Sequence, residues 1–176
     1  MGGRWQEILG YLLLSLVGIA GRLLPHPPNF TPMEALALYG GAWSARPWIG
    51  IGLVLLVMGI TDAVLGWHSL WPFTWGGMVV GVLLGRYLFR MANLWQAMAA
   101  ALTQAALFFL VTNFGVWLGG WYGLTWSGLL ACYVAGIPFF HYQLFGAVTY
   151  TGLFWFLYYR AFPALAGKSF LHVNPK

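Results

Sequence analysis

Groups able to do chemistry are scarce in this chain: three carboxylates, four histidines and one cysteine among 176 residues. Asp62 is the most informative. It lies inside a hydrophobic run, residues 49–67 (IGIGLVLLVMGITDAVLGW), long enough to cross a bilayer. A carboxylate at that depth is expensive, so it faces a protein interior or a watery cavity and marks a functional region. Asp62 has two roles open to it, an ion pair with Arg22 or a contact to a polar substrate group. Glu34 also has two. It closes a T-x-x-E capping box with Thr31, with Pro32 at the first helical position, and a capping residue can also line a pocket.

Asn113, in VTNFGVW, can hydrogen-bond a broken helix end or a ligand. His26 and His141 fall near span ends, where solvation and ring stacking compete with ligand binding. Cys132 fits a small packing residue. Together with His141 it is the one conceivable nucleophile–base pair, and Pro138 separates the two in sequence. Catalytic signatures are missing: there is no G-x-S-x-G, no H-E-x-x-H and no glycine-rich phosphate loop. No pair of cysteines, histidines or carboxylates has metal-ligand spacing on one helix. The reading is therefore a non-enzyme without metal or cofactor.

These residues must be positioned by a membrane-embedded scaffold. The hydrophobic fraction is 61% and charged residues make up 6%, too few to solvate a soluble domain of this size. Long continuous runs favour helices over the alternating pattern of a transmembrane barrel. The net charge of +5 arises from single basic residues at the ends of apolar runs, which act as topological anchors rather than as a nucleic-acid surface. Residues 1–20 could pass for a signal peptide, but Glu7 and the later spans favour a retained first helix.

The whole chain, 1–176, reads as one transmembrane helical domain, an all-α bundle of six helices. They are expected near 5–24, 32–44, 47–67, 71–90, 94–118 and 138–162. Residues 119–137 form a Gly- and aromatic-rich connection with a short helix after Thr125, and a basic tail ends the chain. Asn93 and Gln96 cap the fifth helix. Helix 2 is the odd one: about 14 residues rise only ~21 Å against a ~30 Å hydrocarbon core, so it is a short span or a re-entrant arm. With six spans, Arg4, Arg46, Arg86, Arg90, Arg160, Lys168 and Lys176 share one side and Arg22 the other. The positive-inside rule then makes both termini cytoplasmic in a plasma-membrane protein.

Small residues recur every fourth position at Gly77/Gly81/Gly85 and Ala97/Ala101/Ala105. Such stripes let helix backbones approach closely, inside the bundle or against a partner membrane protein. Polar residues other than the basic anchors gather toward the opposite, outer ends of the helices. Proline- and glycine-rich segments, LPHPPNFTP (24–32) and LGGWYGLTW (118–126), would roof this cluster as lids. The expectation is an outward-facing, loop-capped pocket with mostly apolar walls and a few placed polar groups.

The strings GRLLPHPPNFTPMEALALYGGA (21–42), GITDAVLGWH (59–68), FFLVTNFGVWL (108–118) and GLLACYVAGIPFFHYQLFG (128–146) resemble an uncharacterised family of small bacterial membrane proteins. That family is similar to the substrate-binding S components of energy-coupling-factor (ECF) vitamin transporters. The resemblance covers almost the whole chain and implies six helices, cytoplasmic termini, and a pocket near the outer face. It also implies an ATP-driven energy-coupling module as partner, docked through small residues on helix 1, here loosely matched by Ser15, Gly18 and Gly21. Two positions depart from the family pattern. Gly146-Ala147 stands where Gly-Asp is usual, and Tyr122-Gly123 where Tyr-Pro is usual.

The function expected is a membrane transport protein, an S-component-like substrate-binding subunit for a small neutral or cationic molecule. Asp62, Glu34 and Asn113 would meet polar groups of the substrate. Phe30 and Trp117 would stack on it, and Arg22 would balance charge. Asn29, His26, Tyr133 and His141 complete the candidate site. The alternative is a structural or assembly subunit that binds another membrane protein through its small-residue faces. Partners are thus a small molecule, the lipid bilayer and an energy-coupling or other membrane protein, with no nucleic acid.

Overall fold

The structure, a computed structural model, describes the backbone of residues 2–161 and the side chains of residues 10–160. The expected basic tail with Lys168 and Lys176, and the side chains of Arg4 and Glu7, lie outside the described residues. Among the described residues the fold is all helical. The elements are α1 (Gly2–Leu23), α2 (Met33–Trp43), α3 (Pro47–Leu65), α4 (Trp71–Leu83), α5 (Leu94–Leu118) and α6 (Trp126–Phe156). A π-helical turn ends α4 at Leu84–Leu88 and another ends α6 at Leu157–Ala161.

Among the described residues three helices are long and apolar enough to cross a membrane: Pro47–Leu65, Leu94–Leu118 and Trp126–Arg160. This is fewer than the six spans expected. Of α1, whose side chains are described from Gly10 onward, Gly10–Leu23 is apolar; α4 yields to its π-turn after 13 residues, and α2 has only 11. Exposed tryptophans and tyrosines collect at both ends of the helices, Trp48, Tyr87 and Trp95 at one and Trp67, Trp121 and Trp126 at the other. That is the placement of rings at the two interfaces of a bilayer.

α2 is neither a full span nor a re-entrant arm at the rim. It is the centre of the bundle. Every residue from Met33 to Gly41 is buried, and the helix touches α1, α3, α4, α5 and α6. Glycines bring its backbone into direct contact with its neighbours. A Cβ on Gly41 would strike the carbonyl oxygen of Val82 in α4, and one on Gly50 of α3 would strike that of Gly40. Without a water-driven force between helices in lipid, such close approach is a main source of packing energy.

The small-residue stripes serve this interior. Gly77 meets the Phe108 ring, Gly81 meets Gln104 and Ala37, and Gly85 meets the Leu38 backbone. Ala97, Ala101 and Ala105 are wholly buried. On α1, Gly18 faces Leu36 and Val57, and Gly21 faces Pro32. The small-residue faces expected to dock a partner protein are therefore taken up inside the bundle.

Two local expectations are corrected. The capping box at α2 does not form: Pro32 is the N-cap residue and makes no side-chain cap. Glu34 is instead drawn to Gln143 on α6. Likewise helix 6 does not begin at Pro138 but at Trp126, and the proline lies inside it. Thr125 supplies the true start, its hydroxyl accepting from the Gly128 N–H at 3.0 Å. The missing N–H of Pro138 leaves the Val134 carbonyl without its helical donor, a loss that membrane helices tolerate. The Asn93 cap of α5 forms as expected, its side chain accepting from the Gln96 N–H at 3.2 Å.

Candidate functional site

The central helix, with 11 residues, rises only ~16 Å, whereas α5 beside it, with 25 residues, rises ~38 Å. Beyond the first turn of α2 the surrounding helices leave a space between them. That space is a cavity of about 410 Å³, floored by Met33 and Glu34 of α2. Its walls come from Met58 of α3, Met78 of α4, Phe108 and Phe109 of α5, and Phe139 of α6. At its mouth lie His26, Asn29 and Thr31 of the 24–32 segment and His68 of the α3–α4 connection. Asn29 takes a left-handed conformation, φ 63°, which its short polar side chain tolerates.

Of the expected site residues, Arg22, His26, Asn29, Glu34 and Asn113 line this cavity. Asn113 turns its amide back onto its own helix, donating to the Phe109 carbonyl at 2.9 Å. His26 is similarly occupied, with one ring nitrogen 2.8 Å from the Pro27 carbonyl and the other 3.4 Å from that of Arg22.

Of the two roles open to Asp62, the structure shows the ion pair with Arg22, and Asp62 is not among the residues that line the cavity. It is 1% exposed and its oxygens are engaged by the protein. Arg22 lies 2.8 Å from Oδ1, and the Trp75 indole N–H donates to Oδ2 at 2.8 Å. The same guanidinium nitrogen also reaches the Thr61 hydroxyl at 2.6 Å and the Met58 sulfur at 3.2 Å. His68 stands 3.8 Å from Oδ2. A buried ion pair with this much hydrogen bonding around it is a closed unit.

Four further residues lie away from the lining. Phe30 packs on the Tyr150 ring, centroids 5.5 Å apart. The Trp117 indole donates to the Thr125 carbonyl at 3.2 Å, which ties the 118–126 segment back to α5 rather than over the cavity. Tyr133 donates to the Leu110 carbonyl at 2.8 Å. His141 is exposed and stacks beside Tyr142. The Cys132–His141 pair also fails on geometry. On one continuous helix, nine residues place them ~13.5 Å apart along the axis and on opposite faces. Cys132 donates to the Asn113 carbonyl instead.

Glu34 is the reverse of Asp62. It is 3% exposed, and its Oε1 accepts from the Gln143 amide at 2.6 Å. That amide spends its second hydrogen on the Ala105 carbonyl at 2.9 Å. No cation among the described residues pairs with Glu34, and its carboxylate faces the cavity. Gln143 was the main residue that sequence reasoning passed over, because attention went to ionisable groups. Its signal was an amide set in an otherwise apolar stretch, FFHYQLFG. Thr74 and Thr112 also line the cavity without having stood out, since threonine is ordinary in apolar helices, and Thr31 lines it rather than serving as the expected cap. Among the described residues no group of three or more His, Cys, Asp or Glu side chains could hold a metal ion.

Residues 4–166 match the model of a family of unknown function, DUF6580, and the chain belongs to that family. No curated protein and no solved structure matches it.

Proposed function

We propose that this member of a family of unknown function is a substrate-binding membrane transport protein of the S-component type. The observation that carries the reading is the cavity of about 410 Å³ above a half-length central helix. Its size is within the ~300–1,000 Å³ of small-molecule pockets, and its apolar walls with a few polar groups have their character. The ligand is a small neutral or cationic molecule, since an anion would meet Glu34 in a low-dielectric setting.

Orientation follows from the charges. Arg46, Arg86, Arg90 and Arg160 occur at the helix ends remote from the cavity, and the one cation at the cavity end with a carboxylate partner, Arg22, is neutralised by it. The positive-inside rule then turns the cavity away from the cytoplasm. Movement of a bound molecule inward needs an energy source, for which the fit is an ATP-driven energy-coupling module in the same membrane. With the Ser15/Gly18/Gly21 face turned inward, such a module would dock on a lipid-facing surface instead.

The test is thermal stabilisation of the purified protein in detergent by a panel of vitamins, amines and other small metabolites. A ligand binding the folded state at a hundred times its Kd stabilises it by ~2.7 kcal/mol, which a thermal shift reads easily. The expected result is a saturable rise in Tm with at least one neutral or cationic compound, lost when Gly136→Leu or Thr112→Trp fills the cavity. A flat panel, or a rise that survives the filled cavity, overturns the reading.

A further inference from the structure

Resting on that reading, we infer that the ligand is an organic monocation, held with its charge against Glu34 and its apolar body against Phe108, Phe109 and Phe139. The inference comes from a charge count around the cavity. The charged or titratable groups lining or backing it are Arg22 of α1, His26 of the 24–32 segment, Glu34 of α2, Asp62 of α3 and His68 of the α3–α4 connection. α4, α5 and α6 contribute none to the lining. Arg22 and Asp62 cancel at 2.8 Å, and neither histidine faces Glu34: His68 stands beside Asp62 and the His26 ring nitrogens lie against the Pro27 and Arg22 carbonyls. One carboxylate is left over.

Gln143 orients that carboxylate without compensating its charge. A neutral ligand would bring no counter-charge to this group, whereas a cation supplies the one partner that the fold does not. A metal ion is a poor alternative, because among the described residues no group of three or more His, Cys, Asp or Glu side chains could hold one, and beside Glu34 the lining offers only neutral oxygens among walls of Phe108, Phe109 and Phe139. Those same walls suit an alkylated ammonium. Aromatic faces attract cations through their quadrupole, most strongly when water is excluded, and this is how quaternary ammonium groups are recognised elsewhere. Arg22 does not oppose the arrangement, because its NH1 is turned onto Asp62, Thr61 and Met58.

The experiment pairs each cation with a neutral compound of the same shape. Full-length protein in nanodiscs is titrated with alkyl- and arylalkylammonium ions and their neutral isosteres, choline and 3,3-dimethylbutan-1-ol being the reference pair. Among pairs that bind, the cation should be at least tenfold tighter, and Glu34→Gln should abolish that preference. Phe139→Leu should weaken the cation several-fold while leaving the isostere's affinity within twofold. The wild-type comparison needs no variant, so a misfolded Glu34→Gln protein does not spoil the test. Equal or tighter binding of the neutral isosteres, or a preference that persists in Glu34→Gln, overturns the monocation while leaving the ligand cavity standing. If neither these probes nor the broader metabolite panel binds, the cavity reading falls and the monocation with it.

Discussion

Two buried carboxylates lie toward the same end of this bundle, and they have been given opposite surroundings. Asp62 is enclosed by a guanidinium, an indole N–H and a histidine within 3.8 Å. Glu34 has a single amide donor and an open face toward a cavity. Burial alone, 1% and 3% exposed, does not distinguish them. The complement of partners does. A carboxylate whose charge is balanced within the fold contributes to holding helices together, while one that the fold leaves unbalanced is kept for something that arrives from outside. The same division runs along α2: its glycine-lined body is sealed against α3 and α4, and its first turn is the cavity floor.

The comparison breaks most visibly at Arg22. Arg22→Met removes the partner of Asp62 and leaves a buried, uncompensated charge, a change that costs about 3–5 kcal/mol. We expect a large fall in Tm in detergent. Adding Asp62→Leu should restore most of it, because exchanging both members of a buried pair for apolar residues is often neutral or stabilising. If Arg22→Met alone leaves Tm unchanged, Asp62 is not the closed structural unit described here. His68, with its side chain 38% exposed and 3.8 Å away, should matter far less. His68→Ala should change stability by less than about 1 kcal/mol.

An intermediate effect is expected at Gly41, where the comparison concerns the seat of Glu34 rather than its charge. A Cβ there meets the Val82 carbonyl of α4, and neither backbone can move without disturbing the other contacts of the central helix. Gly41→Ala should destabilise by about 1–3 kcal/mol, the range for overpacking a well-filled interior. Because α2 would shift as a unit, ligand-dependent stabilisation should weaken too. A Gly41→Ala protein with full stability would show that the central helix has slack, and that the floor of the cavity is not fixed by it.

These contrasts also show what could be read from the residues and what could not. The all-helical class with helices apolar enough to span a membrane, the limits of α5 and the gathering of polar groups at one end were legible. They depend on local hydropathy and on the capping chemistry of Asn93, which need no tertiary knowledge. The central place of α2 was not, although its shortness was. An apolar 11-residue helix has the same composition whether it is surrounded by protein or by lipid, and only the glycine contacts at Gly41 and Gly50 decide. The start of α6 was missed because proline was given more weight than Thr125, whereas a hydroxyl cap initiates a helix and a membrane helix can carry an interior proline. Arg22–Asp62 was open between pairing and binding until distances settled it. Gln143 lacks charge, so nothing in its residue type set it apart from the other amides.

The smallest effect on stability is the most telling one, and it belongs to Glu34. Replacement by glutamine keeps the shape, and the new amide oxygen can still accept from Gln143 at the position where Oε1 now sits 2.6 Å away. One hydrogen bond is preserved, and no partner within the fold is left without its counter-charge, because none among the described residues pairs with Glu34. The expected change in unliganded stability is therefore below about 1 kcal/mol and of either sign, against several for Arg22→Met. Measured side by side in the same detergent, the two variants separate a carboxylate that supports the fold from one that does not. Were Glu34→Gln to destabilise the protein as much as Arg22→Met, Glu34 would have a structural partner, and the asymmetry between the two carboxylates, with the ligand argument built on it, would disappear.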